Sequence, residues 1–375
     1  MSSLRRVGLS LVVVGGLWSC QEKAPDTPTP LPDPGLSWQA SDAFLYGNKI
    51  QLNSYADSSR IILAGSQTTS IAPGESRPGT DTTFVHYSGQ AQPYGNTYQR
   101  PAIGSQLLAF ANTSTVNLVS VASPVANYSN AVVRMKDVDP DFADFNLVPY
   151  SVGDCMAINQ QQQVLIPYSN YDRSYQTPVI DGNTLHLALV STVIAPTSGY
   201  VSVRSVLPIH IPNTGQVSNL VAQGNYLFVA TYGGGGAYRI APNGSYQQTY
   251  PYSILRFFVG NGTLYGLTYA NTQSLKLIAS TDQGVSWKVL TDQLPADYQS
   301  LQIRQVNNQL IAWYNSQLFQ LTITPTKLTA VELDNTGLYG NQITSVATFR
   351  NTVYVSTLSG VFTKPVRTFL TPKKV

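Results

Sequence analysis

The feature that most constrains the fold is a pair of short strands around an Asn- or Gly-containing turn, which recurs through the second half of this 375-residue chain. In each copy an apolar strand precedes the turn, and a strand of alternating apolar and polar residues follows it. The first apolar residues after the five turns are Leu185, Leu227, Leu264, Leu310 and Val353. They lie 42, 37, 46 and 43 residues apart, so the chain repeats one structural unit.

This spacing predicts an all-β fold of the β-propeller type, in which four-stranded blades recur every ~40–50 residues. A single blade cannot bury both of its faces, so blades pack against one another in a ring. Third strands are predicted within 233–240, 274–280, 317–323 and 360–366, and first-half strands within 43–52, 60–66, 105–111, 116–123 and 163–169. The first half does not align into repeats. Over residues 37–375 we predict seven blades, with six or eight as alternatives.

The first 20 residues predict export. Arg5 and Arg6 precede an apolar run, 7–17, that is too short to span a bilayer. The run ends in Leu-Trp-Ser-Cys, which resembles the lipobox of bacterial lipoproteins. The resemblance implies a lipoprotein signal peptide over 1–19 and lipid attachment at Cys20. A secretory signal cleaved elsewhere is the alternative.

Residues 20–36 are predicted to form a stalk behind this lipidated cysteine. Prolines at 25, 28, 30, 32 and 34 prevent helix and sheet and keep the segment extended. Gln21 stands where an Asp would retain a lipoprotein at the inner membrane, so the resemblance implies the outer membrane of the cell envelope. The sequence leaves open whether the protein lies on the periplasmic side of the outer membrane or on the cell surface. Membrane contact is expected through the lipid.

Charge argues against a nucleic-acid partner. Charged residues make up 11% of the chain, well below the roughly 25% of ordinary soluble domains. The net charge is +3, and no run of Lys or Arg is interleaved with aromatic residues.

The octet STDQGVSW, Ser280–Trp287, carries a specific pattern of Ser, Asp, Gly and Trp. It resembles the Asp-box, or BNR repeat, of sialidases, sortilin-type receptors and photosystem assembly factors. We expect the carboxylate of Asp282 to bond backbone N–H groups of its own turn, Gly284 to take a positive φ, and Trp287 to cover the hairpin. These roles, with Ser280, are structural. A partial copy lies at 237–246.

No catalytic residue is assigned. The sialidase resemblance would require an Arg triad and a Tyr paired with Glu, but the chain has only three glutamates, Glu22, Glu75 and Glu332. Other glycoside hydrolases need two carboxylates at a fixed distance. An acidic stretch supplies candidates: Asp137, Asp139, Asp141 and Asp144. A solvated loop is the favoured interpretation, with a calcium site and catalysis as alternatives.

Metal and thiol chemistry receive little support from spacing. His86, His186 and His210 show no metal-ligand spacing along the chain, and His186 is expected on one face of a blade. Cys155 is interpreted as a buried apolar residue, with a Cys-His pair as the alternative. We predict no cofactor and no metal.

The 23 tyrosines favour a binding function. Several lie in polar stretches, where an aromatic ring with a polar rim suits a sugar or a partner protein. The first candidate ligand-binding set is Tyr168, Tyr171, Asp172, Arg173 and Tyr175. Alternatively, these rings cap blade edges. The hypothesis is a non-catalytic envelope module that binds a glycan or a partner protein. A carbohydrate-active hydrolase or lyase and an assembly factor are the alternatives.

Overall fold

Seven antiparallel sheets, six of four strands and one of six, form a ring in the computed structural model. The structure describes residues 37–41, 49–65, 67–73, 81–88, 93–94, 97–98, 100–121, 130–145, 156–174, 177, 179–232, 235–270, 274–338 and 340–374. The predicted signal peptide, the lipid-attachment cysteine and the stalk lie outside these residues. Among the described residues, no helix has the length and apolar character to cross a bilayer.

Strand β1 (Gln39–Ala40) belongs to the last blade, so the first complete blade begins at β2. Blade 1 contains β2–β5: Gln51–Ala56, Ile61–Gly65, Gln67–Pro73 and Asp81–Ser88. A short hairpin of β6 and β7 follows: Pro93–Tyr94 and Thr97–Tyr98. Blade 2 contains β8–β11: Ala102–Ile103, Leu107–Asn112, Thr115–Ser120 and Asn130–Arg134. The helix α1, Met135–Val138, leads into blade 3.

Blade 3 is the irregular one. Its strands are β12–β17: Phe142–Phe145, Ala157–Ile158, Val164–Asp172, Val179–Ile180, Thr184–Ile194 and Val201–Pro212. The short β13 is innermost, followed outward by β14, β16 and β17. Strands β12 and β15 add to β14 near its carboxyl end.

Blades 4 to 7 are regular. Blade 4 has β18–β21: Val217–Gln223, Tyr226–Thr231, Ala237–Ile240 and Tyr246–Tyr250. Blade 5 has β22–β25: Arg256–Gly260, Thr263–Tyr269, Ser274–Ser280 and Lys288–Pro295, followed by a 3₁₀ helix, Ala296–Ser300. Blade 6 has β26–β29: Gln302–Val306, Gln309–Tyr314, Gln317–Thr324 and Lys327–Glu332. Blade 7 has β30–β32: Ile343–Phe349, Thr352–Thr357 and Gly360–Pro365, before α2, Val366–Phe369.

The predicted propeller and its seven blades are confirmed. The predicted third strands of blades 4 to 7 are β20, β24, β28 and β32. The first marker, Leu185, needs a correction, because it lies in the third strand of its blade. The predicted hairpin there does not form, since β15 and β16 both pair with β14 rather than with each other. Leu165, opposite β13, is the true equivalent of Leu227.

The core is distributed between the blades. The described residues form seven apolar clusters, and each one joins two neighbouring blades. Alternate residues of β3 show how this works: Ile61 and Leu63 pack toward blade 7, whereas Ile62 and Ala64 pack toward blade 2. Because side chains alternate along a strand, a blade buried on both faces needs a continuous apolar run.

The ring is closed by β1, which pairs with β32 as the outer strand of blade 7. Trp38, just before β1, is almost fully buried between blades 6 and 7. Its backbone N–H donates to the carbonyl of Thr336 at 2.9 Å, and its indole N–H donates to the carbonyl of Asp334 at 3.3 Å. Its ring meets Phe369 edge-on, with centroids 5.9 Å apart. The amino-terminal segment thus anchors to the carboxyl-terminal blade.

We predict that Trp38→Ala lowers the free energy of unfolding by about 3–5 kcal/mol, because a large cavity opens at the closure. Trp38→Phe keeps a ring and loses the indole hydrogen bond, so it should cost much less. Urea unfolding of the two variants beside the parent protein checks this. Equal stability of Trp38→Ala and the parent would contradict the role given to the closure.

Candidate functional site

The antiparallel order of the strands gives the propeller two unlike ends. The turn face carries the first-to-second and third-to-fourth turns of each blade, such as 224–225 and 241–245. The opposite end carries the second-to-third turns together with the connections between blades. Backbone hydrogen bonds join these segments, as from Tyr232 N–H to the carbonyl of Gln216 at 2.8 Å and from Ile343 N–H to the carbonyl of Asn315 at 2.8 Å.

Exposed tyrosines collect at this second end, here named the tyrosine face after Tyr171, Tyr232, Tyr252, Tyr269 and Tyr314. These five side chains are 42% to 67% exposed. Four of them lie at or beside the end of the second strand in blades 3, 4, 5 and 6, and Tyr252 lies between blades 4 and 5. Since equivalent strands end at the same side of a propeller, a repeated position becomes a shared surface.

Amide side chains accompany these rings. The hydroxyl of Tyr269 donates to the side-chain carbonyl of Gln299 at 3.2 Å. Exposed Gln216 lies on the segment that contacts the backbone of Tyr232, and exposed Asn315 follows Tyr314. The face therefore combines aromatic surface with uncharged donors and acceptors.

The structure places the residues of the first candidate ligand-binding set in different surroundings. Tyr171 is exposed, but Tyr168 is fully buried and cannot present its ring to a ligand, which corrects that part of the expectation. Asp172 accepts the backbone N–H of Ser174 at 2.9 Å in its own turn. Arg173 forms an exposed ion pair with Asp141 at 2.5 Å. Tyr175 lies outside the described residues.

Tyr168 is buried in the apolar cluster between blades 2 and 3, and its hydroxyl reaches a group of polar side chains in blade 3. Its hydroxyl donates to Oδ2 of Asp139 at 3.0 Å, and the amide nitrogen of Asn170 donates to the same oxygen at 2.6 Å. Two histidines complete the group, with Nδ1 of His186 lying 2.8 Å from Nδ1 of His210. Ligand atoms of Asp139, His186 and His210 lie within 4.8 Å of one another. We name these three residues the Asp-His-His cluster.

A strand irregularity brings the two histidines together. His186 in β16 lies directly opposite His210 in β17, because the register shifts by one residue between Ser191 and Thr192. Without this β-bulge, Ile209 would face His186 and the His210 side chain would point to the other side of the sheet. Spacing along the sequence therefore missed this cluster. Pairing β16 with β17 around the turn 195–200 without a bulge would place His186 opposite Ile209, one residue from His210.

The cluster is electrostatically coupled. Burial opposes ionisation of Asp139, but hydrogen bonds from Asn170, from the backbone of Asp141 and from Tyr168 together hold its pKa below the ordinary value. Partial burial of the His210 ring, with the nearby His186, lowers the pKa of His210, although Asp139 opposes this. Burial and the adjacent Asp139 raise the pKa of Tyr168. The tyrosine thus remains a neutral donor, while the carboxylate is charged.

The acidic stretch does not gather around one point. Of its four carboxylates, only Asp139 joins a convergent group among the described residues. Asp141 pairs with Arg173, and Asp144 accepts the N–H of Phe145 at 2.7 Å. The arrangement offers no shared oxygen cage for calcium in this part of the chain.

A central cavity of about 790 Å³ opens among the innermost strands at the turn face. Asp57 is its one carboxylate among the described lining residues, and Oδ1 of Asp57 accepts N–H groups of Ser59 and Arg60 at 2.7 and 3.1 Å. Arg304 also lines the cavity, and it donates to the carbonyl of Ser54 at 2.6 Å. Asp57 is thus engaged within its own turn, and Arg304 joins β26 to β2.

The octet Ser280–Trp287 connects β24 to β25 in blade 5. Oδ1 of Asp282 accepts the backbone N–H of Ser286 at 2.9 Å and the hydroxyl of Ser280 at 2.7 Å. Oδ2 accepts the hydroxyl of Ser286 at 2.6 Å, and the Ser280 oxygen accepts the N–H of Gly284 at 2.7 Å. Both carboxylate oxygens therefore bind within the turn.

The octet also packs against blade 4. Gly284 has φ of +80°, and a Cβ there would lie 2.5 Å from the ring of Phe228, so both backbone and space require glycine. The indole of Trp287 stacks on Phe257, with centroids 6.2 Å apart, and contacts Tyr250 at 5.9 Å. Trp287 thus fills the space between blades 4 and 5.

Three other candidates remain untested. Cys20 and Cys155 lie outside the described residues. His86 lies in β5, but its side chain is not among those described.

The known proteins that resemble this chain resemble it in fold alone. No family model and no curated protein matches the chain. A streptogramin B lyase structure has a TM-score of 0.48 at 11% identity, covering 88% of this chain and 98% of the other. Apo AztD from Citrobacter koseri has a TM-score of 0.49 at 13% identity, covering 87% and 85%. A chain of a mitotic checkpoint complex has a TM-score of 0.48 at 8% identity, covering 92% and 98%. The chain is a seven-bladed β-propeller protein, and this fold serves many functions.

We predict that Asp282→Ala melts below the parent protein at neutral pH, with a difference that shrinks as the pH falls. Hydrogen bonds from the side chain and backbone of Ser286 and from Ser280 lower the pKa of Asp282 from 3.8 to about 2. A carboxyl group whose pKa is lower in the folded state than in the unfolded state stabilises the fold at pH values above its unfolded-state pKa. That stabilisation is lost as the pH falls through the folded-state pKa.

Melting curves between neutral pH and pH 2 measure this difference. Asp292→Ala, in the exposed outer strand of the same blade, is the matched control and should melt like the parent. A pH-independent difference between Asp282→Ala and the parent would contradict the assignment.

Proposed function

We propose that this protein is a lipid-anchored propeller of the bacterial envelope that binds a glycan on its tyrosine face without transforming it. The single observation behind the proposal is the recurrence of exposed tyrosines at equivalent strand ends in four consecutive blades. Single exposed rings are ordinary on protein surfaces, but rings repeated at equivalent positions suit a repeating ligand.

The chemistry of the face favours sugars. An aromatic ring offers an apolar surface for the C–H groups of a sugar, and its hydroxyl offers a donor and an acceptor. Gln299 beside Tyr269, and Asn315 beside Tyr314, supply uncharged hydrogen-bonding groups. The low proportion of charged residues, 11%, fits a neutral polar ligand better than a strongly charged one.

Binding is favoured over hydrolysis by the state of the carboxylates. Glycoside hydrolysis ordinarily uses two carboxyl groups flanking the bond. Asp282 and Asp57 are engaged by hydrogen-bond donors of their own turns. Asp139 is held by Tyr168 and Asn170. A hydrolase or lyase remains the alternative function, and the Asp-box resemblance of the octet keeps an assembly factor as a further one.

A glycan array with the purified protein carrying Cys20→Ser tests the binding proposal. We expect binding, and we expect Tyr269→Ala combined with Tyr314→Ala to weaken it by about 10-fold or more. Aromatic contacts of about 0.5–1.5 kcal/mol each support this magnitude, since about 1.4 kcal/mol corresponds to tenfold.

Tyr200→Ala is the matched control, because Tyr200 is equally exposed but lies on the turn face. Loss of binding with Tyr200→Ala, but not with the double variant, would place the ligand on the turn face and contradict the proposal. Absence of any glycan binding would favour a protein partner instead.

The membrane anchor is tested separately. Cys20→Ser removes the proposed attachment site, and each buried CH₂ of a lipid chain contributes about 0.8 kcal/mol to membrane binding. We therefore predict that the protein moves from the membrane fraction to the soluble fraction. Ser19→Ala leaves the cysteine in place and should stay with the membranes. Membrane retention of Cys20→Ser would contradict lipid anchoring.

A further inference from the structure

We propose that the Asp-His-His cluster of blade 3 is a binding site for a divalent transition-metal ion of the Zn²⁺ type. Two imidazoles and one carboxylate are a ligand set that suits such ions and leaves at least one coordination position open. The proposal rests on a part of the molecule distinct from the exposed tyrosine rings, so either can fail alone.

The histidine pair is the first argument. Nδ1 of His186 and Nδ1 of His210 are 2.8 Å apart. Nε2 of His186 lies 3.2 Å from Oδ2 of Asp181, an oxygen that accepts a hydrogen from a neutral or charged imidazole. In the neutral form of His186, the Nε2 hydrogen faces Asp181 and the Nδ1 lone pair faces the cluster.

This arrangement is the second shell that metal-bound histidines commonly have. A carboxylate that accepts the distal N–H fixes the tautomer and orientation of the ring and increases its basicity. His186 is buried and its orientation is fixed, whereas His210 is exposed. Without metal, the hydrogen between the two Nδ1 atoms belongs to His210. On metal binding, that hydrogen moves to Nε2 of His210, and both Nδ1 lone pairs face the ion.

The carboxylate is the second argument. Asp139 receives the Tyr168 hydroxyl and the Asn170 amide, which fix it beside the histidines. Because a carboxylate only accepts hydrogen bonds, the NH₂ group of Asn170 must face Asp139. Coordinating oxygens are commonly held in this way by outer partners. The carboxylate supplies the negative charge that attracts a dication.

An unpartnered buried oxygen is the third, independent argument. Asn170 is 8% exposed, and its side-chain oxygen is buried without a hydrogen-bond partner. An orphaned buried acceptor costs about 1–3 kcal/mol, which native proteins usually avoid. Nδ2 of the same amide lies 2.6 Å from Oδ2 of Asp139 and 3.4 Å from Nδ1 of His186, so the side chain that carries this unpartnered oxygen borders the ligand atoms.

The distances are compatible with one ion. The ligand atoms lie within 4.8 Å of one another, whereas ligand atoms about 2.0–2.2 Å from one tetrahedral Zn²⁺ lie about 3.3–3.6 Å apart. Side-chain rotation must therefore bring the most distant pair closer by about 1 Å, and His210, being exposed, can rotate.

Zn²⁺ titration of the chelator-treated protein, without a histidine tag and against a chromogenic competitor, tests the site. We expect one Zn²⁺ per chain. His210→Ala removes a ligand on the surface and should weaken binding by about 100-fold or more. Asp181→Asn should weaken it by about 10- to 100-fold, as loss of an outer-shell partner does.

Asp141→Asn is the matched control, because its carboxylate pairs with Arg173 outside the cluster, and its affinity should equal that of the parent. Melting curves of all variants without metal show that they fold, and Zn²⁺ should raise the melting temperature of the parent but not of His210→Ala. No stoichiometric Zn²⁺ binding, or equal affinity of the parent and His210→Ala, would overturn the proposal.

Discussion

The structure depends on closing the ring, because each blade is apolar on both faces and only a complete circle covers both. β1 closes it by pairing with β32, and Trp38 is inserted between blades 6 and 7. Seven apolar clusters, one for each pair of neighbours, then bury the faces of every blade. The alternating contacts of Ile61 and Ile62 with blades 7 and 2 show why no blade is stable alone.

Closure also decides where function can lie. With both blade faces covered, the surfaces left for a ligand are the two ends of the ring and the outer strands. The ends of second strands repeat around one end, and tyrosines occupy that position in blades 3 to 6. Blade 3 departs from the repeat through β12, β15 and a bulge in β16–β17, and this departure brings His186 and His210 together.

Local features could be predicted from the sequence, whereas long-range register could not. The hydrogen bonds of Asp282 lie within five residues: its carboxylate accepts the backbone N–H of Ser286, as expected, and also the hydroxyls of Ser280 and Ser286, which were not expected. The repeat of the regular blades could be found from the sequence, but blade 3 has a long connection between β14 and β16. Leu185, expected in the second strand of its blade, therefore lies in the third. A polar sequence around Tyr168 indicated exposure, yet the ring packs in the apolar cluster between blades 2 and 3, where Asp139 provides a partner for its hydroxyl. The one-residue shift that aligns the histidines has no signal in either strand alone.

The central claim is that ligand binding belongs to the tyrosine face rather than to the central cavity at the turn face. Hydrogen–deuterium exchange of the protein, with and without a glycan that it binds, tests this directly. The account predicts slower exchange in the second-to-third loops and blade connections near Tyr232, Tyr269 and Tyr314. Protection confined to the turns around Asp57 and Asn307, which line the cavity, would contradict it.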